Sequence, residues 1–234
     1  MLATNEFNRR RFFKTASAAA SLIAIPEAIS AQNKPGTGTT GDRRPKRNEA
    51  AAKVLAELEA KGGKFLNVPR KDGEFLSLLV KASRSKHVLE IGTSHGYSAI
   101  WIGLGLEETG GKLMTIEILA ERVELAKKNL DLAELSQHVT VKEGDAHKLV
   151  PTLEGPFDFV FLDADKDGSL DYFKKLHPAK LSAGALIAVH NAISRKDAMQ
   201  PYLDMISQHP DFDTTILSLT MDDGFVLSYR RRSG

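Results

Sequence analysis

Residues 88–98 read Val-Leu-Glu-Ile-Gly-Thr-Ser-His-Gly-Tyr-Ser. Residues 88–91 have the apolar, β-branched character of a short buried strand. Gly92 and Gly96 break it, and residues 97–106 resume as an apolar helix. Strand, glycine turn and helix together present backbone N–H groups to a ligand at the carboxyl edge of an α/β sheet. The two glycines permit a tight turn and a close approach. Their spacing is Gly-x-x-x-Gly rather than the dinucleotide Gly-x-Gly-x-x-Gly.

The same alternation extends outward from this stretch. On the N-terminal side, 49–61 is an amphipathic helix with Val54, Leu55 and Leu58 on one side. A second helix runs from an Asp72 or Gly73 cap to about Ala82, with Phe75, Leu76, Leu79 and Val80 inward. On the C-terminal side, strands are expected at 87–91, 112–117, 138–142, 157–162 and 185–189. Helices are expected between them at 119–130, 146–153 and 170–177, and after them at 197–209. Residues 214–219 and 225–230, joined by a turn at 221–224, read as a closing hairpin. This order predicts an α/β fold with a doubly wound, mostly parallel, seven-stranded sheet and a terminal antiparallel hairpin.

Polar residues gather where such a sheet binds ligands, at the strand carboxyl ends: Glu90, Glu117, Asp145, Asp163 and His190-Asn191. Glu117, 27 residues past Glu90, sits where an acid accepts hydrogen bonds from ribose hydroxyls, or serves the dipole of the next helix. Asp145 faces a comparable choice between an adenine amino group and an N-cap for 146–153. The run Asp163-Ala-Asp-Lys-Asp-Gly168 matches a calcium loop at its first, third and fifth positions and at the glycine. Its twelfth position is Lys174 rather than Glu, and a strand precedes it, so a calcium loop is not expected. Asp163 with His190 and Asn191 instead offers a carboxylate, an imidazole and an amide carbonyl to a cation; alternatively His190 and Asn191 only satisfy a loop backbone. Lys166, three residues after Asp163, is the candidate base.

Composition excludes several classes. The 234 residues contain 42% hydrophobic and 26% charged residues and no cysteine, hence no disulfide, thiolate nucleophile or Cys-ligated metal. The formal charge is +2, but residues 1–31 hold four basic and two acidic residues. The remainder carries 28 of each sign, which argues against nucleic acid or an anionic membrane as the main partner. Arg9, Arg10, Arg11, Phe12, Phe13 and Lys14 precede an apolar run at 16–25 that is too short to span a bilayer. Small residues at 28, 30 and 31 complete the pattern of a twin-arginine secretory signal over 1–31. Residues 32–48 read as a flexible linker and 49–234 as the folded domain. The expected location is therefore exported and periplasmic, or cytoplasmic if the leader is not functional, with no stable membrane insertion after cleavage.

The motifs VLEIGTSHGYSAIWIGLGL, Ile116-Glu117, EGDA at 143–146 and FDFVFLDADKDGSLDYF, then a strand ending in His190-Asn191, resemble the cation-dependent catechol and caffeoyl-coenzyme A O-methyltransferases. The segment FLNVPRKDGEFLSLLVKA at 65–82 is similar to the one those enzymes place over the cofactor. The resemblance spans about residues 65–230 and implies a Rossmann-like fold with S-adenosylmethionine as methyl donor. By motif position it implies cofactor contacts from Val68, Glu90, Gly92, Ser98, Glu117, Asp145 or Ala146, and Asp163. Glu90 would hold the methionine end and Glu117 the ribose. It places a divalent metal on Asp163, His190 and Asn191 and the catalytic base at Lys166.

Two departures stand out. His190 replaces the family's Asp, which favours a transition metal over magnesium. Leu217 stands where catechol-type members carry a substrate-holding Glu. The loop after Asn191 is too short for the long substrate insertion of the caffeoyl type, so a small vicinal diphenol is the expected acceptor. A homodimer is the assembly to test. The competing expectations are a nicotinamide-dependent oxidoreductase, which the missing Gly-x-Gly-x-x-Gly opposes, and an exported cofactor-binding protein of the same fold with lost or altered catalysis.

Overall fold

A computed structural model of the chain describes residues 49–62, 67–219 and 223–232. The leader at 1–31, the linker at 32–48, Phe65, Leu66 and part of the 221–224 turn lie outside these residues. Two helices, α1 (Glu49–Ala60) and α2 (Arg70–Ser83), lead into an alternating series. It runs β1 (His87–Ile91), α3 (Tyr97–Thr109), β2 (Lys112–Glu117), α4 (Ala120–Leu132), β3 (Val139–Glu143) and α5 (Ala146–Leu149). It continues with β4 (Phe157–Leu162), α6 (Ser169–Leu176), β5 (Leu181–His190), α7 (Lys196–Ser207), β6 (Phe212–Leu217) and β7 (Phe225–Arg230). The seven strands form one sheet in the order β3-β2-β1-β4-β5-β7-β6. β1 to β5 are parallel, and β7 inserts antiparallel between β5 and β6.

Side chains alternate across the strands, so consecutive residues serve opposite faces. Leu89, Ile91, Val160, Leu162 and Ile187 pack against Tyr172, Phe173 and Leu176 of α6 and Tyr202 and Ile206 of α7. Val88, Phe159, Phe161 and Ala188 pack against Leu55 and Leu58 of α1, Leu76 and Val80 of α2, and Ile100 and Leu106 of α3. Burial on both faces explains why these strands read as nearly continuous apolar runs. Among the described residues no helix is long and apolar enough to cross a membrane.

Several boundaries differ from expectation. α2 starts at Arg70, with Pro69 at its N-cap and no capping side chain. Asp72 therefore lies inside the helix and is fully buried, not a cap. β5 begins at Leu181, four residues early. It passes Gly184, whose φ is 87°, and its pairing with β4 shifts register between Phe157 and Phe159. A glycine inside a strand pattern marks such an irregularity and hides the strand's true start. The expected 146–153 helix is one α turn followed by a 3-10 turn at Val150–Thr152, because Pro151 cannot continue an α-helical ladder.

Candidate active site

β1 pairs with β2 on one side and β4 on the other, so the chain direction of the sheet's crossovers changes here and a crevice opens at the carboxyl ends. Gly92 sets its floor. Its φ is +100°, and a Cβ there would lie 2.6 Å from the carbonyl oxygen of Asp163. Only glycine allows both the backbone conformation and the contact. Gly96, at φ 88°, starts α3. The resulting cleft, about 600 Å³, is lined by seven predicted residues: Val68, Gly92, Ser98, Glu117, Asp145, Ala146 and Asp163. Ser94, Tyr97, Arg122, His147 and Tyr172 complete much of the wall.

Glu90, at the end of β1, is the one expected cofactor residue that does not line the cleft. It is wholly buried behind the wall rather than in it. Its strand parity turns it toward α3, where Ser98 donates to one carboxylate oxygen, while Thr115 of the neighbouring β2 donates to the other, each at 2.5 Å. Burial pushes its pKa up to about 8, although both hydroxyls act in the opposite sense.

Glu117 accepts from the backbone N–H of Ser94 at 2.8 Å and from those of Ile118 and Leu119 at 3.1 Å. It thus braces the β1 turn while facing the cleft. Asp145 caps α5 by accepting from His147 N–H at 2.9 Å, one of its two expected roles, and also borders the cleft. Asp165 accepts from Tyr172 at 2.6 Å and lies 3.3 Å from His147 Nε2. His147 stacks on Tyr172 with ring centroids 4.3 Å apart, making an aromatic wall that the sequence did not reveal.

Asp163 lines the cleft, and the ends of β4 and β5 bring Lys166 and His190 up to it. Lys166 Nζ lies 2.6 Å from Asp163 Oδ1, and His190 Nδ1 lies 3.3 Å from the same oxygen. Burial pushes the Asp163 carboxyl up, but Lys166 and His190 outweigh it and hold it below the usual range. His190 Nε2 lies 2.9 Å from Asp72 Oδ2. Burial opposes charge on this ring, yet the hydrogen bonds with Asp163 and Asp72 raise its pKa to about 9. Asn191 turns the corner after β5 with φ 64°, a conformation Asn tolerates. Its Nδ2 donates to Asp223 Oδ1 at 2.8 Å and to Ser194 Oγ at 3.2 Å, which turns the amide carbonyl away from them.

This donor set suits a divalent cation. Two ligand atoms about 2.1 Å from one ion stand about 3.0–3.4 Å apart at octahedral to tetrahedral angles. Asp163 Oδ1 and His190 Nδ1 are 3.3 Å apart. Asp72 and Asp223 are the residues that sequence reasoning missed. A signal for Asp72 existed: it lies four and eight residues before Leu76 and Val80, on the apolar face of α2.

The strand order, the antiparallel β7 and the cleft after β1 define an S-adenosylmethionine-dependent methyltransferase of Rossmann-like fold. A family model described as O-methyltransferase matches residues 47–230, and the chain belongs to that family. It is 35% identical over 198 residues to a catechol O-methyltransferase of Mycobacterium tuberculosis, covering 78% of this chain and 89% of the relative. A catechol O-methyltransferase of Niastella koreensis is 38% identical over 149 residues, covering 62% of this chain and 65% of the relative. Among solved structures, cofactor-bound Rv0187 from MTB superposes with a TM-score of 0.71 at 34% identity, covering 79% of this chain and 90% of that one. An O-methyltransferase from Bacillus cereus in complex with SAH gives a TM-score of 0.71 at 28% identity, covering 78% and 90%.

Proposed function

We propose that this enzyme moves a methyl group from S-adenosylmethionine to one hydroxyl of a small catechol, with a divalent cation at Asp163, His190 and Asn191. The observation that carries this reading is the meeting of Lys166 and His190 on Asp163, which lines the cleft. The catechol O-methyltransferase relatives support the acceptor class. So does the short corner at 191–195 between β5 and α7, which leaves no room for a long acceptor-binding insertion.

S-adenosylmethionine supplies an electrophilic methyl on its sulfonium. A divalent cation would supply a Lewis acid that lowers the pKa of the attacking phenol from its usual value of about 10. The chain does the rest. Gly92, Ser98, Glu117, Asp145 and Ala146 bind and orient the cofactor along the cleft. Val68 and Tyr97, both nearly buried at its wall, keep water from the sulfonium. Asp163, His190 and Asn191 would hold the ion, whose Lewis acidity would act on the catechol hydroxyls, and Lys166 Nζ takes the proton from the attacking hydroxyl. Holding oxygen and methyl in line supplies much of the remaining acceleration. The imidazole at 190 would favour a first-row transition metal over magnesium.

The leader at 1–31 carries the chain out of the cytosol by the twin-arginine route. The export signal also keeps a second reading in view, a cofactor-binding protein that no longer turns over. Incubation with S-adenosylmethionine and a panel of catechols and coenzyme A esters, with methylated products read by mass spectrometry, separates the two. The proposed activity requires catechol methylation in the wild type and its loss in Asp163→Ala. Cofactor binding without methylation of any catechol, across several divalent metals, supports the second reading.

A further inference from the structure

Asp72 plays no part in the chemistry above, yet it is 0% exposed and sits 118 residues before the imidazole it touches. A carboxylate taken out of water is costly unless it is paired. His190 Nε2 meets it at 2.9 Å. The imidazole is held on its sides as well, with the Phe225 and Phe161 rings 5.1 and 6.4 Å away between centroids. Its other nitrogen, Nδ1, faces Asp163 Oδ1.

We infer that Asp72 is a positioning residue for the cation: it keeps a proton on His190 Nε2 and thereby presents the Nδ1 lone pair to the ion beside Asp163. The inference rests on the reading of Asp163, His190 and Asn191 as the cation site. Imidazoles that ligate metals commonly donate their far N–H to a carboxylate, which fixes the tautomer and strengthens the ligand. Asp72 stands where that carboxylate belongs. It also returns, through the ring, the negative charge that an aspartate at position 190 would have carried. Asp163 and Asp72 then match the two charges of the ion.

The alternative is an ion on the other nitrogen, between Asp72 and Asp223. Asp223 Oδ2 lies 4.0 Å from His190 Nε2. Asp223 Oδ1, however, accepts from Asn191 Nδ2 at 2.8 Å and from Ser194 Oγ at 3.1 Å, so this residue holds the corner after β5.

Zinc is a suitable probe, because it binds nitrogen and oxygen donors without a d-electron preference. Its affinity is measured by competition with a chromophoric chelator for the wild type, Asp72→Asn and Asp163→Asn. Histidine 15N spectra of the zinc-loaded wild type report which ring nitrogen carries the metal. The inference predicts zinc on Nδ1 with a proton on Nε2. It also predicts binding weakened roughly 10–100-fold in Asp72→Asn with circular dichroism unchanged, and binding lost in Asp163→Asn. Zinc on Nε2, or equal affinity in Asp72→Asn and wild type, overturns the role of Asp72 while the cation reading stands. A wild type with no zinc affinity overturns both. Should Asp72→Asn fail to fold, the wild-type spectra decide alone.

Discussion

A single residue, His190, changes the character of the site. An imidazole in place of a carboxylate removes a charge, adds a softer donor and ties α2 to the end of β5 through Asp72. Lys166 meets the same Asp163 oxygen as His190, its side chain 11% exposed. Lys166→Ala is expected to lower kcat roughly 10²–10⁴-fold, the usual worth of a positioned base, while cofactor affinity by calorimetry stays near wild type. An unchanged kcat would remove Lys166 from proton transfer. Glu90 yields a pH prediction. Its folded pKa, about 8, exceeds the ordinary 4.5. The protonated form is therefore favoured by folding, and its stabilisation is complete below pH 4.5 and lost as pH rises through 8. Without cofactor, urea midpoints should decline across that window with a slope of at most about 1.4 kcal/mol per pH unit from this group. Glu90→Gln should flatten that part of the decline, and identical pH profiles would contradict the buried neutral acid.

At the scale of elements, β1, its glycine turn and α3 organise the cleft. The strand and helix were legible because residues 88–91 and 97–106 differ sharply in pattern from the turn between them. Gly92→Ala combines a φ of +100° with a Cβ 2.6 Å from Asp163 O. It should destabilise the protein by roughly 2–5 kcal/mol, from backbone strain plus overpacking, read as a lower denaturant midpoint together with weaker cofactor binding. A substitution without effect on either would mean that β1 and β4 can separate at this point. The start of α2 was misread for a definite reason. Asp in a first turn resembles a cap, and the partner that buries Asp72 lies 118 residues away, where local pattern has no reach. A shorter separation, 32 residues, was enough to hide Asp223, which touches Asn191. Strand ends, by contrast, announce themselves locally, and that is why Glu117, Asp145 and Asp163 were found and line the cleft.

For the whole molecule, strand–helix alternation was enough to foresee a seven-stranded sheet with its antiparallel hairpin, because two-sided burial writes itself into every strand. The side-chain meetings across the sheet's carboxyl edge were only partly legible. They depend on how distant segments are brought together, which the neighbouring strand ends and the resemblance suggested for Asp163, His190 and Asn191 but not for Asp72. The signal-peptide reading of residues 1–31 implies that their removal leaves a folded chain with undiminished cofactor affinity, measured by calorimetry. A truncated chain that cannot bind cofactor would show that the leader belongs to the fold. The most direct test of the central claim, catechol methylation at a cation held by Asp163, His190 and Asn191, is a metal series. Wild type and His190→Asp are stripped with a chelator and assayed for catechol methylation at one pH with magnesium, manganese, cobalt, nickel or zinc restored. No turnover is expected after chelation, with recovery of the wild type by transition metals ahead of magnesium and a shift toward magnesium in His190→Asp. Full activity of the stripped wild type, or the same metal ranking in both proteins, would contradict it.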